Sequence, residues 1–343
     1  MSTSDLTSAL GDFFEATWPT DQPVEEPGAW SDTGWSAFAE LGLHLVGVDE
    51  DAGGSGGTFA DVMALATLAG RHTVDVPVTE STTAAWAVTE AGLPLSLDAS
   101  YSLPTRSPDL TVHDDGSVSG TLPDVPWGAS IDLVVAVAAD GRTVVVAPGV
   151  ATVRPGLDLS GQPRDTLVLD HARPQELGTG VTAQALRDRA AALRVAMTAG
   201  TLQAMAELTR RYAGERVQFG KPIGAFQAVQ AHIVELQQMA AMTTALAERL
   251  SLGSRLHAFD VLAAQLVSLE NAQVAARAAH QAHGAIGMTR EYRLQGYTRR
   301  LHAWSGDFGE AIDLASRLGA IAADAPSFAH LILDDHHRPE VLP

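Results

Sequence analysis

A short stretch between two helical patterns brings together a guanidinium, an aromatic ring and an amide. Arg216, Phe219 and Gln227 lie in the sequence RVQFGKPIGAFQ. An arginine offers a planar fork of donors that matches a phosphate, and the phenylalanine adds a flat apolar face beside it. Gly220 and Pro222 interrupt the helical pattern, because glycine is flexible and proline lacks an N–H. The stretch alone predicts a helix–turn–helix corner, with either an anion contact or a solvated arginine.

Two further motifs contain clustered glycines. The sequence QAHGAIGMTREY runs from Gln281 to Tyr292, and LGL at 41–43 precedes GGSGG at 53–57. The loop at 49–57 matches neither a dinucleotide-binding fingerprint nor a P-loop. Its three acidic residues at 49–51 would also repel a phosphate. We therefore interpret this loop as a structural turn.

Taken together, and in their order along the chain, the three motifs resemble the signatures of the acyl-CoA dehydrogenase family. The first is similar to the family's Arg-x-x-Phe-Gly-x-x-Ile-x-x-Phe-Gln, and the second to its Gln-x-x-Gly-Gly-x-Gly-x-Thr-x-Glu-Tyr. The third is similar to the family's N-terminal Leu-Gly-Leu … Gly-Gly-x-Gly segment. The resemblance spans most of the chain. In the second motif Ala285 replaces the second glycine of the family.

The resemblance implies FAD as cofactor and an acyl-CoA as substrate. In the family, residues of the first two motifs reach across a subunit interface to the adenosine-diphosphate half of the flavin. The matching positions here, read from the sequence, are Arg216, Phe219, Gln227, Gln281 and Gly284. From the local sequence alone, Gln227 could instead be a helix residue in solvent and Gly284 a plain helix stop.

The resemblance also implies a carboxylate base that removes the α-proton of the thioester. One branch of the family carries it after the second motif, where an ungapped alignment from Arg299 reaches Phe308. The other carries it before the first motif, where counting back from Arg216 reaches Ala190. Asp188 is near but belongs to another helix face. The catalytic residue is therefore unknown from the sequence.

Three carboxylates could substitute for that base. Asp307 is the first fallback, with Glu310 and Glu291 as further candidates. For Asp307 an exposed acidic residue at a helix start is the simpler interpretation, since anionic side chains favour helix N-termini.

Three functions are compatible with these motifs. The chain resembles the smaller, base-lacking subunits of α₂β₂ acyl-CoA dehydrogenases that act on steroid side-chain thioesters, which implies a larger catalytic partner subunit. It could instead be a self-sufficient homo-oligomeric enzyme, or a flavin-free structural partner with the same fold. For the enzymes, the family implies an electron-transfer flavoprotein as acceptor.

The order of patterns predicts an α+β fold. Residues 1–95 read as helical, 96–180 as short β-branched strands with Gly/Asp turns, and 181–343 as long helices. Such strands indicate an antiparallel sheet or small barrel, and the long helices indicate a four-helix bundle. The resemblance implies the same three-domain order, although the family's Thr-Glu-Pro-Gly-x-Gly-Ser-Asp segment is missing.

Composition excludes several classes of function. The 343 residues include 41 acidic and 22 basic side chains, a net charge of −19, which disfavours nucleic acid and anionic membranes. The absence of cysteine excludes disulfides, thiolate catalysis and iron–sulfur clusters. His336 and His337 stand side by side in a polar tail, so we expect no metal site. The sequence shows neither a leader pattern nor a membrane-length apolar run, so we expect a cytoplasmic protein.

Overall fold

Helices form the first part of the chain. The structure is a computed structural model and describes residues 3–21, 30–252 and 256–333. The four N-terminal helices are α1 Thr3–Thr17, α2 Asp32–Glu40, α3 Phe59–His72 and α4 Val78–Glu90. The side chain of Ser31 caps α2 by accepting from the Gly34 N–H, and Thr58 forms a reciprocal capping box with Asp61 at the start of α3.

Strands form the middle part of the chain, in two four-stranded sheets. The strands are β1 Tyr101–Ser102, β2 Asp109–Val112, β3 Val118–Pro126, β4 Leu133–Val137, β5 Thr143–Val146, β6 Thr152–Arg154, β7 Arg164–Ala172 and β8 Glu176–Gly178. One sheet has the order β1-β4-β5-β8 and the other β2-β3-β7-β6. Both predicted hairpins, β2–β3 and β4–β5, are confirmed, whereas the β1–β4 pair is parallel. Side chains from both sheets share one apolar cluster, which includes Leu122, Val134 and Leu167.

Long helices form the last part of the chain. They are α5 Ala183–Glu215, α6 Gln227–Ser251, α7 Ala258–His283, α8 Leu294–Ala303, α9 Ala311–Asp324 and α10 Phe328–Leu333. A short hairpin of β9 Val217–Gln218 and β10 Lys221–Pro222 lies between α5 and α6. The helices α5, α6 and α7 pack on one another, and α9 packs on α7. The predicted α+β class, with a helical bundle after the sheets, is confirmed, while the pattern of α8 was not recognised as a separate helix.

The N-terminal helices meet the bundle through a backbone contact between α3 and α5. A Cβ on Gly70 would lie 1.9 Å from the carbonyl oxygen of Met197, and a Cβ on Gly200 would lie 1.8 Å from that of Thr67. Neither position has room for a side chain. The main apolar core runs through this contact and includes residues of the helices on both sides and of the first sheet. The division of the chain into three domains stays a prediction.

Two further features concern the described ranges alone. None of their helices is both long and apolar enough to cross a bilayer. Among the same residues, no three His, Asp or Glu side chains are grouped as metal ligands would be. His336 and His337 lie outside the described residues.

Candidate functional site

The hairpin between α5 and α6 holds an aromatic side chain in a strained position. The turn places both Phe219 and Gly220 at positive φ, +51° and +78°, which is typical of a type I′ turn. Glycine adopts this conformation freely, whereas a bulky residue there costs on the order of 1–3 kcal/mol. Phe219 is 92% exposed, and its ring stands roughly perpendicular to the ring of Phe226, with 6.0 Å between the centroids. A strained and exposed phenylalanine is a candidate for contact with another molecule.

The second motif lies at the same end of the bundle as this hairpin. The ring of Tyr212, one turn before the end of α5, stacks on the ring of His283, with 4.6 Å between centroids. His283 ends α7, and Tyr292 packs against the same histidine at 5.1 Å. The stack therefore brings the end of α5 beside the segment that follows α7.

The predicted binding residues of both motifs are exposed at this end. Arg216 is the C-cap of α5, and within the described residues its guanidinium has no ion pair. Gln227 is the first residue of α6, and Gln281 lies in the last turn of α7. Gly284 ends α7 at φ +63°, with open space where a Cβ would stand. Their side chains or backbone are free to meet a ligand or a second chain.

Exposed apolar side chains lie on the same three segments, some beside these residues and others farther along α6. They are Val217, Phe219, Val234, Met242, Ile286 and Met288, from the hairpin, α6 and the segment after α7. On α6 the buried residues form a single stripe, which leaves most of the helix surface unpaired. Large exposed apolar patches on a folded chain mark protein or ligand interfaces.

A buried ion network lies deeper in the structure, between the second sheet, α5 and the loop before α9. Oδ2 of Asp307 is 3.0 Å from Nη2 of Arg194 and 3.2 Å from Nη2 of Arg164. Arg194 also pairs with Oε1 of Glu80 at 2.9 Å, and Arg164 with Oδ2 of Asp158 at 3.3 Å. All five side chains are almost fully buried.

Neighbouring groups hold this network in place. The Arg194 guanidinium lies over the Trp304 ring at 4.9 Å from its centroid. Gln265 donates a hydrogen bond of 3.0 Å to the backbone carbonyl of Asp307. Burial alone would lower the pKa of Arg164, but the carboxylates around it, Asp307 first, raise that pKa above its usual value. Arg164 is therefore held as a cation by the carboxylates around it.

The structure corrects the expectation for Asp307. This residue is 7% exposed and does not start an exposed helix; the N-cap of α9 is Glu310, three residues later. Both guanidiniums contact Oδ2 of its carboxylate, so Asp307 is a buried partner of Arg164 and Arg194 and not an exposed residue at a helix start.

The two other candidate carboxylates lie in different places. Glu291 is exposed near the end of α7. Glu310 lines a cavity of about 350 Å³ together with Phe308, and its Oε1 is 3.4 Å from Nη2 of Arg106. Only Glu310, of the three, reaches this cavity.

Comparison with known proteins decides the family. Residues 178–305 match the domain described as "Acyl-CoA dehydrogenase, C-terminal domain". The acyl-CoA dehydrogenase IpdE2 of Mycobacterium tuberculosis is 30% identical over 279 residues, which are 78% of this chain and 80% of that protein. The chain belongs to the acyl-CoA dehydrogenase family. The acyl-CoA dehydrogenase FadE34 of the same organism is 32% identical over 80% of this chain, but this chain spans only 40% of the length of FadE34.

Solved structures share the acyl-CoA dehydrogenase fold with this chain. The ChsE4–ChsE5 complex from Mycobacterium tuberculosis contains a chain that superposes with a TM-score of 0.80 and 20% identity, over 95% of this chain and 99% of that one. A chain of the Tcur3481–Tcur3483 steroid ACAD gives 0.79 and 23%, over 94% and 99%. Butyryl-CoA dehydrogenase from Megasphaera elsdenii gives 0.79 and 16%, over 93% and 98%.

Neither position where this family would carry its base holds a carboxylate. Phe308 is buried at φ +63° and donates its N–H to the carbonyl oxygen of Thr105 at 2.8 Å. Ala190 is buried in α5. Neither of the two aligned positions therefore supplies a carboxylate.

The residues at the exposed end fit part of an FAD. A guanidinium without an ion pair suits a pyrophosphate, an exposed ring suits an adenine or a dimethylbenzene, and a glycine with open space above it permits close backbone approach. All of them lie on the surface. On this surface they would contact one side of a cofactor, and the other side of the cofactor would face a second chain.

Sequence reasoning missed the ion network. Its signal was Arg194, which stands between Leu193 and Val195 in an apolar stretch of α5, where a charged residue needs a buried partner. Its partners Glu80 and Asp307 lie 114 and 113 residues away in the sequence, so spacing could not identify them.

Proposed function

We propose that this chain is a subunit of a heteromeric acyl-CoA dehydrogenase and completes the FAD site of a larger partner subunit, which supplies the base. The observation that supports it most is Phe308 at the position of the family glutamate, next to an Asp307 engaged by two arginines. The strained, exposed Phe219 and the surrounding apolar residues supply a face for such a partner.

In this proposal the chain binds and orients the FAD, while the partner subunit removes the proton from the substrate. The bound FAD would accept the hydride from the β-carbon of the acyl-CoA. Arg216 would pair with the pyrophosphate, Phe219 would cover an apolar part of the cofactor, and Gln227 and Gln281 would donate hydrogen bonds, with Gly284 allowing close approach. The names of the structural relatives, a steroid ACAD among them, support a bulky thioester as substrate. An electron-transfer flavoprotein would reoxidise the flavin.

The test compares the chain alone with the chain co-expressed with the dehydrogenase encoded beside it. We expect a colourless protein alone and a yellow heteromer with the partner, measured by flavin absorbance and native mass. In the heteromer Arg216→Ala should release flavin, while Arg210→Ala, an exposed arginine on the same helix, should retain it. Full flavin retention in Arg216→Ala would refute the assignment of Arg216.

A self-sufficient enzyme is the second candidate, because Glu310 lines the cavity beside Phe308. In that case the chain alone would be a yellow homo-oligomer that bleaches with an acyl-CoA. Glu310→Gln would then slow bleaching by about 10²–10⁴, the usual contribution of a general base. A yellow heteromer whose turnover is unchanged by Glu310→Gln would exclude this candidate.

A further inference from the structure

Arg189 of α5 is an enclosed cation that the proposed function does not use. Its Cζ lies over the ring of Phe59, at 4.7 Å from the centroid, and over the ring of Trp86, at 4.6 Å. Phe59 begins α3 and Trp86 belongs to α4, so the guanidinium fills a gap between α5 and the N-terminal helices. Attraction to the two rings stabilises the cation there and holds the side chain in one orientation.

The N–H groups of this guanidinium have no partner. Among the residues that the structure describes, none accepts a hydrogen bond from Arg189, and no carboxylate oxygen lies within 4.0 Å of it. Its Nε is buried without an acceptor. Burial lowers the pKa of Arg189 to about 10, against a smaller opposite effect of the more distant carboxylate of Glu90. The side chain therefore stays charged at neutral pH, although its hydrogen bonds to the protein are missing.

Space for a ligand remains beside this guanidinium. Phe59, Trp86 and Arg189 are each partly exposed, so solvent reaches the place where they meet. A Cβ on Gly47 would lie 2.5 Å from Cγ2 of Val62 and 3.3 Å from Nη2 of Arg189, so the glycine keeps that nitrogen uncovered. With rings against it, the guanidinium is best approached at its edge, where a carboxylate can accept two parallel hydrogen bonds.

This place is separate from the flavin-binding face and from the cavity beside Phe308. Residues two apart on a helix point about 160° away from each other, so Arg189 faces away from Arg187, which lines that cavity. Arg216, at the other end of α5, is 27 residues farther on, about 40 Å along the helix axis.

We propose that this place is a binding site for a carboxylate, which the edge of the Arg189 guanidinium holds beside Phe59 and Trp86. An enclosed charge is stable when it is paired, and the described residues do not supply the pair. A carboxylate is planar, and its two oxygens match the fork of N–H donors. It belongs either to a small organic acid or to an Asp or Glu side chain of another chain.

The first test is thermal unfolding of the full-length chain in about 0.1 M sodium acetate and in sodium chloride of the same ionic strength. We expect acetate to raise Tm by about 2 °C over chloride, as a site with a dissociation constant of about 10 mM would do. Acetamide, which has the shape of acetate without its charge, should give no shift. Arg189→Met should abolish the acetate shift, while Arg154→Met, a matched control at an exposed arginine on β6, should keep it.

Two more variants separate the geometry of the site from its charge. Arg189→Lys keeps the positive charge but lacks the planar fork, so the acetate shift should become smaller. Glu90→Gln removes the nearby carboxylate that opposes an incoming anion, so the shift should become larger. Both variants give a readout if Arg189→Met does not fold, although methionine packs well on aromatic rings.

The outcomes distinguish the two sources of the carboxylate. An acetate shift that disappears in Arg189→Met shows that the site takes a free acid. If acetate gives no shift, but Arg189→Met weakens assembly with the co-expressed dehydrogenase at least about 10-fold by native mass in a dilution series, the carboxylate is a side chain of that partner. An equal acetate shift in the wild type and Arg189→Met, or no shift together with unchanged assembly, refutes the proposal. Flavin absorbance is not a readout, so the proposed function is tested separately.

Discussion

Asp307 and Arg194 form a buried ion pair, with 3.0 Å between Oδ2 and Nη2. We expect Asp307→Asn to lower the free energy of unfolding by about 3 kcal/mol, since removing one partner leaves buried charge uncompensated. Turnover of the assembled complex should change little. Urea unfolding and steady-state assays measure both, with Asp170→Asn on the exposed side of β7 as control.

The opposite outcome would identify Asp307 as catalytic. A loss of turnover by about 10²–10⁴ at unchanged stability is the signature of a missing general base and not of a missing ion pair.

Replacing Phe219 by asparagine should stabilise the isolated chain. Asparagine tolerates the left-handed region far better than phenylalanine, so Phe219→Asn should raise the free energy of unfolding of the isolated chain by about 1 kcal/mol. The same change removes an exposed ring from the proposed partner face and should weaken flavin retention in the complex. Thermal unfolding and flavin absorbance measure the two effects. A variant that is less stable alone and equally yellow in the complex would contradict both parts.

Replacing each of two glycines of α5 by alanine should change the free energy of unfolding in opposite directions. Gly200→Ala places a Cβ 1.8 Å from the Thr67 carbonyl oxygen, so the helices must separate, at a cost of about 3 kcal/mol. Gly214→Ala meets nothing within 4 Å and should stabilise the chain by about 0.5–1 kcal/mol through its better helix propensity. Chemical unfolding of the two variants measures this contrast. Equal changes in the free energy of unfolding for the two variants would contradict the close backbone contact between α3 and α5.

His283 should make stability depend on pH. Burial first lowers its pKa, and its Nε2 has no hydrogen-bond partner among the described residues. Below the usual histidine pKa of about 6.5, His283 is protonated in the unfolded chain but stays neutral in the folded chain. The free energy of unfolding therefore falls as pH decreases from 7.5 to 5.5. His283→Phe keeps the ring stack on Tyr212 and removes the titration.

The variant should therefore lose less stability than the wild type over that interval, as measured by unfolding at several pH values. A reduced slope is expected and not a flat one, because burial also lowers the pKa values of His44, His72 and His280. If stability depends on pH equally in the wild type and in His283→Phe, His283 is not the source of this pH dependence.

The sequence predicted the α+β order and most elements, because these are local properties. The short β-branched runs at 133–137 and 143–146 and the turn at Asp140-Gly141 between them predict a hairpin by themselves. The helix stops at Gly42 and Gly284 follow from positive φ angles that glycine adopts easily. The parallel β1–β4 pair could not be predicted from the sequence, because Tyr101–Ser102 is only two residues long and its partner strand lies 32 positions away.

The site was predictable only where motifs are contiguous. Arg216, Phe219 and Gln227 stand in one stretch, so a resemblance identifies them, although their role with flavin stays a prediction. The expected exposure of Asp307 at a helix start was wrong, because its carboxylate is paired with Arg164 from β7 and Arg194 from α5. Burial of that kind depends on tertiary contacts that no local pattern encodes.

The length of α5 has a consequence for how this chain can change over time. One helix sets Arg194 against Asp307, Gly200 against α3 and Tyr212 against His283. Inserting or deleting a single residue between any two of these contacts would turn the rest of the helix by about 100° and break its register with every later neighbour. Insertions and deletions should therefore accumulate in the loops around this helix, while its residue count is inherited unchanged.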